Sequence, residues 1–334
     1  MRTPYYTFRL DTIKGNYFTL SSLLSSCAVH YSTKANSDST LLKALSTYAA
    51  GFEICSTQEF DFFCSINYDV SKLCYGIPIK DESTIIQLYA AGCRYFVFAS
   101  EAEFIKLKRH APQAKKILRM RVTDFSKDSI PYGMNLEEVT WEMAQETDGI
   151  LFHISNTNLD EHMEALDRLE RFVQKYDMQQ IILNVGGSYY SKNPGSFFPV
   201  FNNRLEVLRN KYKLRLIAEA GSAIVNTAGM LNTKVLHIER CGNVSDVYID
   251  AGFPAGVLCV PEQIINLSAV NNDGPYLYRF IDTTCLRKVL FIKRVYCAIG
   301  IGDILQFVNY GAYSLCYINK FHNQYEPHIK YISS

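Results

Sequence analysis

The sequence carries almost no net charge: 34 Lys and Arg stand against 33 Asp and Glu, leaving +1 over 334 residues. A surface that coats nucleic acid needs a clear excess of basic side chains, so no nucleic-acid partner is expected. No apolar run comes near the roughly 18–20 residues that cross a bilayer as a helix, and no membrane partner is expected either. The opening MRTPYYTFRLDTIKGNY sets charges and tyrosines where a secretory leader would be apolar. Together these absences point to a soluble, cytoplasmic chain. No CxxC pair occurs among the ten cysteines, at 27, 55, 64, 74, 93, 241, 259, 285, 297 and 316. A zinc site wants clustered ligands and a disulfide scaffold wants a short secreted chain, so neither a metal nor a disulfide framework is expected. Most of the thiols read as small buried hydrophobes. No GxGxxG follows the first strand-like run, which argues against a dinucleotide fold. Low-complexity tracts, Ser/Gly linkers and internal repeats are missing as well.

What is present is an ordinary globular composition, 48% apolar and 20% charged. From about residue 20 to 245, short apolar or β-branched runs alternate with amphipathic stretches: AVHYST then LLKALSTYAA, KLCYG then STIIQLYAAG, YFVFA then AEFIKLKRHA. KILRMRV, GILFHIS with the helix-like LDEHMEALDRLERFVQKY, QIILNVGG and RLIAEAG continue the series. Roughly eight such repeats predict parallel βαβ units, and at this length an α/β fold of the (β/α)8 barrel type over an open sheet. After about 245 the texture becomes strand-rich (VYIDAG, GVLCV, KVLFIKRVYCAIG, GDILQFVNYGAYSLCYI), which predicts an all-β C-terminal domain. The N-terminal YYTFRL could join it. The expected division is therefore 20–245 for the barrel, with 1–19 and 246–334 forming the β domain.

Barrel enzymes build their sites at the C-terminal ends of the strands, so the polar residues that close each apolar run are the candidates. The first run closes at Lys34, where an amine that loses solvent near the barrel mouth would shift toward the form that attacks carbonyls. Glu53 closes the second. Arg119 and Arg121 in RMRV should lie on one face of a strand. His153 follows GILF, ILNV ends in the turn Gly186-Gly187-Ser188, and RLIA ends at Glu219. Taken singly, the lysine could be solvated, the glycines only a turn and the histidine a core residue. Core packing does not require the ordered set.

In that order the motifs resemble the barrel-type pyridoxal-phosphate decarboxylases, the family of the ornithine, arginine and diaminopimelate enzymes. YSTKAN is similar to the family's cofactor-lysine motif, GFEICSTQE to the segment after it, FHIS to its histidine motif and NVGGS to its glycine turn. EAGS is similar to its acidic motif, and GDILQFVNYGAYS to its tyrosine motif. The resemblance implies pyridoxal 5′-phosphate as cofactor, carried on the Lys34 amine. Glu219 would pair with the protonated pyridine nitrogen, His153 would stack on the ring, and the backbone of Gly186, Gly187 and Ser188 would hold the phosphate with help from Tyr313. Glu53, Arg119, Asn156, Gly221 and Ser222 fall in the same cofactor-binding motifs. Cys285, in IDTTC, matches the cysteine that in this family reaches a neighbouring subunit's site to protonate the carbon that lost carbon dioxide. A homodimer with shared sites is therefore implied.

Four departures fall on functional positions. Ala220 and Ser222 stand where the family usually has proline and arginine, which removes one guanidinium from the phosphate. Leu286 replaces the acid that grips a distal ammonium, and IDAGFPAGVLCVPE lacks the arginine for a distal carboxylate. Ser155-Asn156 replaces Gly-Ser. Because a buried unpaired cation is destabilising by several kcal/mol, these changes predict a larger or modified substrate, entering by its α-amino-carboxylate end. An aminocarboxypropyl group on a microcin C-like peptide nucleotide is one such substrate, and the chain would then be one domain of a longer protein in antibiotic biosynthesis. The alternatives are a free-amino-acid decarboxylase of the ornithine or diaminopimelate type, a racemase on the same barrel, and a non-catalytic homologue.

Overall fold

In the computed structural model, residues 2–122, 132–189, 194–268, 274–323 and 326–332 are described. Among them, eight parallel strands close a barrel: β2 (Ala28–Ser32), β3 (Gly51–Ile54), β4 (Leu73–Tyr75), β5 (Tyr95–Phe98), β6 (Lys115–Arg119), β7 (Gly149–Leu151), β8 (Ile182–Asn184) and β9 (Arg215–Ala220). They pair in chain order, and β9 returns to β2 with Val29 opposite Ala218. This barrel lies in one compact unit, Tyr17–Thr33 with Leu42–Ala223.

Both faces of these strands are covered, which is why the sequence shows short continuous apolar runs with no polar alternation. The helices between them start where side chains accept their orphan N–H groups. Ser56, Asp81, Ser100 and Asn158 cap the helices Thr57–Ser65, Glu82–Ala90, Glu101–His110 and Leu159–Lys175. In the last of these His162, Ala165, Leu166, Leu169, Phe172 and Val173 are buried, a stripe at i, i+3 and i+4 spacing that seats the helix on the barrel.

The other unit gathers Met1–Asn16, Lys34–Leu41 and Ile224–Ser334. Its mixed sheet runs β12 (Gln263–Asn266), β15 (Ile304–Val308), β10 (Gly229–Cys241), β11 (Val244–Ile249), β13 (Tyr276–Asp282) and β14 (Val289–Val295). The N-terminal strand β1 (Tyr5–Arg9) lies antiparallel to β10 and parallel to β16 (His328–Ile332), so YYTFRL does join the β domain. Tyr6, Phe8, Val247, Phe280, Leu305 and Phe307 are buried in its core. The change of texture near 245 falls within this sheet, since β10 already pairs with β1, β11 and β15. Lys234, His237 and the Glu-Arg pair 239–240 dilute the strand pattern of β10 in the sequence.

Two expectations are corrected. Strand β6 ends at Arg119, so Arg119 and Arg121 do not share a strand face. Beyond it Met120 bridges to Met134, and Arg121 turns its guanidinium to Asn135 Oδ1 (3.3 Å) and the Gly133 carbonyl (3.1 Å). The cysteines are also less buried than expected. Cys74, Cys93 and Cys297 are core residues, Cys27 and Cys55 are half-buried, and Cys64, Cys259, Cys285 and Cys316 are exposed. Among the described residues no helix is long and apolar enough to cross a membrane.

Candidate active site

Alternate residues of a strand face one side, and residues paired across neighbouring strands share that side. Cys74, Val97, Ile117, Leu151, Ile182 and Ile217 pack together as the apolar plug of the barrel. Two residues further along β6, β8 and β9 stand Arg119, Asn184 and Glu219, on the same face and one layer nearer the C-terminal ends of the strands. Glu53 shares it too, since it pairs with Cys74 on one side and with Ser32 on the other. His153 follows Leu151 by two. Glu53, Arg119, Asn184 and Glu219 therefore converge on one end of the barrel.

Glu219 is the centre of that layer. It is 7% exposed, its Oε1 accepts a hydrogen bond from Asn184 Nδ2 at 2.6 Å, and its backbone N–H donates to the Gly186 carbonyl at 2.6 Å. Asn184 Oδ1 in turn accepts from the Gly186 N–H at 3.0 Å. One amide, 3% exposed, thus ties the acid of β9 to the glycine turn after β8. Sequence reasoning passed over Asn184. The available signal was a polar residue at an interior position of an apolar run. The turn itself needs glycine: Gly186 has φ +68°, and a Cβ on Gly187 would lie 2.2 Å from the Glu219 carbonyl. The Gly186 N–H is engaged with Asn184, while the Gly187 N–H reaches His153 Nδ1 at a long 3.4 Å, which makes Nδ1 the acceptor of that ring. Ser188 follows in the left-handed region at φ +68°.

Glu53 is buried, and both the Ser32 hydroxyl and the Cys55 thiol (3.6 Å) bond its carboxylate. The Thr33 hydroxyl donates to the Glu53 carbonyl at 3.0 Å, which fixes the chain at the end of β2, one residue before Lys34. Arg119 has its guanidinium over the Tyr132 ring at 5.8 Å, and its Nε is buried with no hydrogen-bond partner among the described residues. Asn156 is not part of this layer. It is exposed and engaged with the entry of the helix Leu159–Lys175, donating to Glu161 Oε2 at 3.0 Å and accepting from the Asn158 N–H at 2.7 Å. Gly221 and Ser222 are half-buried and follow directly on β9.

Lys34, Tyr313 and Cys285 belong to the sheet-bearing unit. Lys34 is exposed, in a single 3-10 turn, Thr33–Ala35. The turn is clamped to the loop before Tyr313: the Tyr313 N–H donates to the Ala35 carbonyl at 2.8 Å, and Asn36 Nδ2 donates to the Gly311 carbonyl at 3.2 Å. Gly311 is required there, because a Cβ would lie 2.0 Å from the Val225 carbonyl. Tyr313 has φ +51°. Cys285 is exposed at the tip of the turn between β13 and β14, 2.9 Å from His322 Nε2.

Residues 10–226 match the family model described as "Pyridoxal-dependent decarboxylase, pyridoxal binding domain". Among curated proteins, the chloroplastic ornithine decarboxylase of Nicotiana glauca is 24% identical over 277 residues, covering 78% of this chain and 64% of that protein. The ornithine decarboxylase of Rattus norvegicus is 23% identical over 385 residues, covering all of this chain and 81% of the relative. The chain thus spans less than two thirds of the length of the first curated relatives it matches. Among solved structures, the arginine decarboxylase of Paramecium bursaria Chlorella virus shares the fold with a TM-score of 0.88 at 19% identity, covering 99% of this chain and 97% of that one. The lysine decarboxylase of Selenomonas ruminantium gives 0.85 at 21%, covering 98% and 92%.

A pyridoxal phosphate fits what these residues offer. Arg119 Nε is a buried donor with no partner among the described residues, and a turn that admits no Cβ at Gly186 or Gly187 leaves bare backbone at the strand ends. A buried carboxylate, held by an amide, stands in the same layer.

Proposed function

The chain belongs to the pyridoxal-dependent decarboxylase family, and from that membership we propose that it releases the α-carboxylate of a free amino acid as carbon dioxide. Pyridoxal 5′-phosphate is its cofactor, and when bound it supplies the electron sink that takes the pair left behind on the carbon.

The observation that carries the reading is the Glu219–Asn184–Gly186 network at the C-terminal ends of the strands. Asn184 orients the Glu219 carboxylate, and a carboxylate there would keep a proton on the pyridine nitrogen. The same amide holds the glycine turn, whose backbone at Gly187 and Ser188 would take the phosphate, with Gly221 and Ser222 as further donors and the Tyr313 hydroxyl in the role that the family resemblance gives it. His153, whose Nδ1 the Gly187 N–H reaches, would lie against the ring. Arg119 supplies a fixed positive charge. Glu53, through Ser32 and Thr33, fixes the strand end from which Lys34 presents the amine that carries the cofactor. Cys285 delivers the proton to the carbon from a second copy of the chain, so the working form is a homodimer.

The relatives named above are decarboxylases of ornithine, arginine and lysine, which supports a free basic amino acid over the peptide nucleotide of microcin C maturation. Leu286 favours a second reading. At 59% exposed and next to Cys285, it offers no counter-charge for a distal ammonium. A substrate with a neutral or modified far end would suit it.

The test is spectroscopic first. The purified protein should show a visible absorbance band that borohydride abolishes and that Lys34→Ala lacks. Carbon dioxide release should then appear with L-ornithine, L-lysine or L-arginine. Release from neutral or modified amino acids alone would select the second reading, and a colourless, inert protein would remove both.

A further inference from the structure

Cys285 is not an isolated thiol. The turn that carries it is pinned from below by the buried Asp282, whose Oδ1 accepts from the Thr284 N–H (3.2 Å), the Thr284 hydroxyl (2.9 Å) and the Lys288 N–H (3.1 Å). The Arg287 N–H closes it on the Thr284 carbonyl at 3.0 Å. Opposite the thiol, His322 stands in the left-handed region at φ +60°. Its ring stacks on Phe321 with centroids 4.3 Å apart and planes 19° from parallel, and Phe321 rests on Phe253 at 5.1 Å. That stack, and a backbone conformation a histidine seldom adopts, aim Nε2 at Cys285 Sγ across 2.9 Å.

We propose that His322 is a positioning residue that relays protons to Cys285. The idea rests on the reading that Cys285 protonates the carbon that has lost carbon dioxide. In each turnover the Sγ–H bond breaks and its proton goes to that carbon. The thiolate takes the Nε2 proton of the His322 imidazolium, and the neutral imidazole recovers one from solvent. One proton is drawn from water for each carbon dioxide released, and no oxidant or reductant is needed. At hydrogen-bond distance the imidazole can hand a proton to the sulfur or take one from it. His322, on the outer side of the thiol, gives the exchange its route to water.

Other charges around the pair are already engaged or lie on its flanks. Arg287 bonds Glu239 Oε2 at 2.8 Å and the Tyr248 hydroxyl at 2.7 Å, and Lys288 Nζ lies over the Phe253 ring at 5.1 Å. Asp282 faces the inside of its own turn, and Lys320 and Glu326 flank His322 in the chain.

The experiment is the rate of alkylation of Cys285 by iodoacetamide in the loaded protein, read by peptide mass between about pH 5.5 and 9, a span that brackets ordinary imidazole and thiol titration. His322→Asn is the variant, because asparagine takes left-handed φ readily. In the wild type the rate should exceed that of the variant by about tenfold, because the imidazole takes up the thiol proton as the sulfur attacks. The exposed Cys259, read in the same digest, should react alike in both and so report an intact fold. His322→Gln serves if the asparagine variant disturbs Cys259. Superimposed wild-type and variant profiles at Cys285 overturn the relay, even where carbon dioxide release continues. An absent decarboxylase activity with the profile difference intact overturns the function and leaves the pair standing.

Discussion

His30 gives the most direct measurement at the scale of a single residue. It is 6% exposed, its Nε2 lacks a hydrogen-bond partner among the described residues, and a Cβ on Gly51 would touch its ring at 2.5 Å. It lines a cavity of about 230 Å³ in the barrel. Burial, and then the Arg215 charge, push its pKa down from 6.5 to about 4. The unfolded chain therefore binds the proton first, and folding stability should fall as pH drops from the unfolded value toward about 4, by on the order of 3 kcal/mol. Urea midpoints between neutral and acid pH should show this slope, and His30→Leu should flatten it; equal slopes would place the acid sensitivity elsewhere. Leu286 carries a second prediction. Leu286→Asp should raise kcat/KM for a basic amino acid by about tenfold, the equivalent of 1.4 kcal/mol, and no change would mean that the far end of the substrate lies elsewhere. Glu219→Gln should lower kcat by roughly 10²- to 10⁴-fold, the range for a positioned proton-holding group, measured as carbon dioxide released. The positions of Lys34, Glu53, His153 and Glu219 at or just beyond the strand ends were legible because each closes an apolar run. Asn184 and His322 were not: an asparagine inside ILN looks like any strand residue, and the partner of His322 lies 37 positions away in the chain.

At the scale of an element, the loop after β4 hangs on one buried ion pair. Lys80 Nζ meets Glu103 Oε2 at 3.0 Å and donates to the carbonyls of Ile77 (3.0 Å), Pro78 (3.2 Å) and Val97 (2.5 Å), with its side chain wholly buried. Burial lowers its pKa and Glu103 opposes that shift. Lys80→Met strands three carbonyls while Glu103 keeps Lys106 Nζ at 2.5 Å and the Lys80 N–H at 3.1 Å, so it should destabilise the fold by about 1–3 kcal/mol. Denaturant unfolding checks it, and a loss below about 1 kcal/mol would show that water replaces the ammonium. The eight strands and their helices could be read from apolar runs and caps, since those signals are local. The end of β6 could not, because Arg121 leaves the strand for partners at Gly133 and Asn135 that the sequence does not announce.

At the scale of the whole molecule, the barrel-plus-sheet architecture was legible from the change of pattern along the chain, but the assembly of the sheet was not. Its unit is drawn from three separate stretches, and β1 fills the place between β10 and β16. Pairings over more than two hundred residues leave no local trace. Deleting residues 1–9 should therefore open two edges at once and give aggregated or protease-sensitive protein. A soluble product with the parent's unfolding midpoint would contradict that role. The clamp between residues 34–36 and the loop at 311–313 has a consequence for biosynthesis. On the ribosome this turn is made early, yet the Ala35 carbonyl and the Asn36 amide meet Tyr313 and Gly311 only after the segment around 311 has emerged. The clamp is thus among the last contacts to close, and a nascent chain that stalls in the final stretch leaves it open.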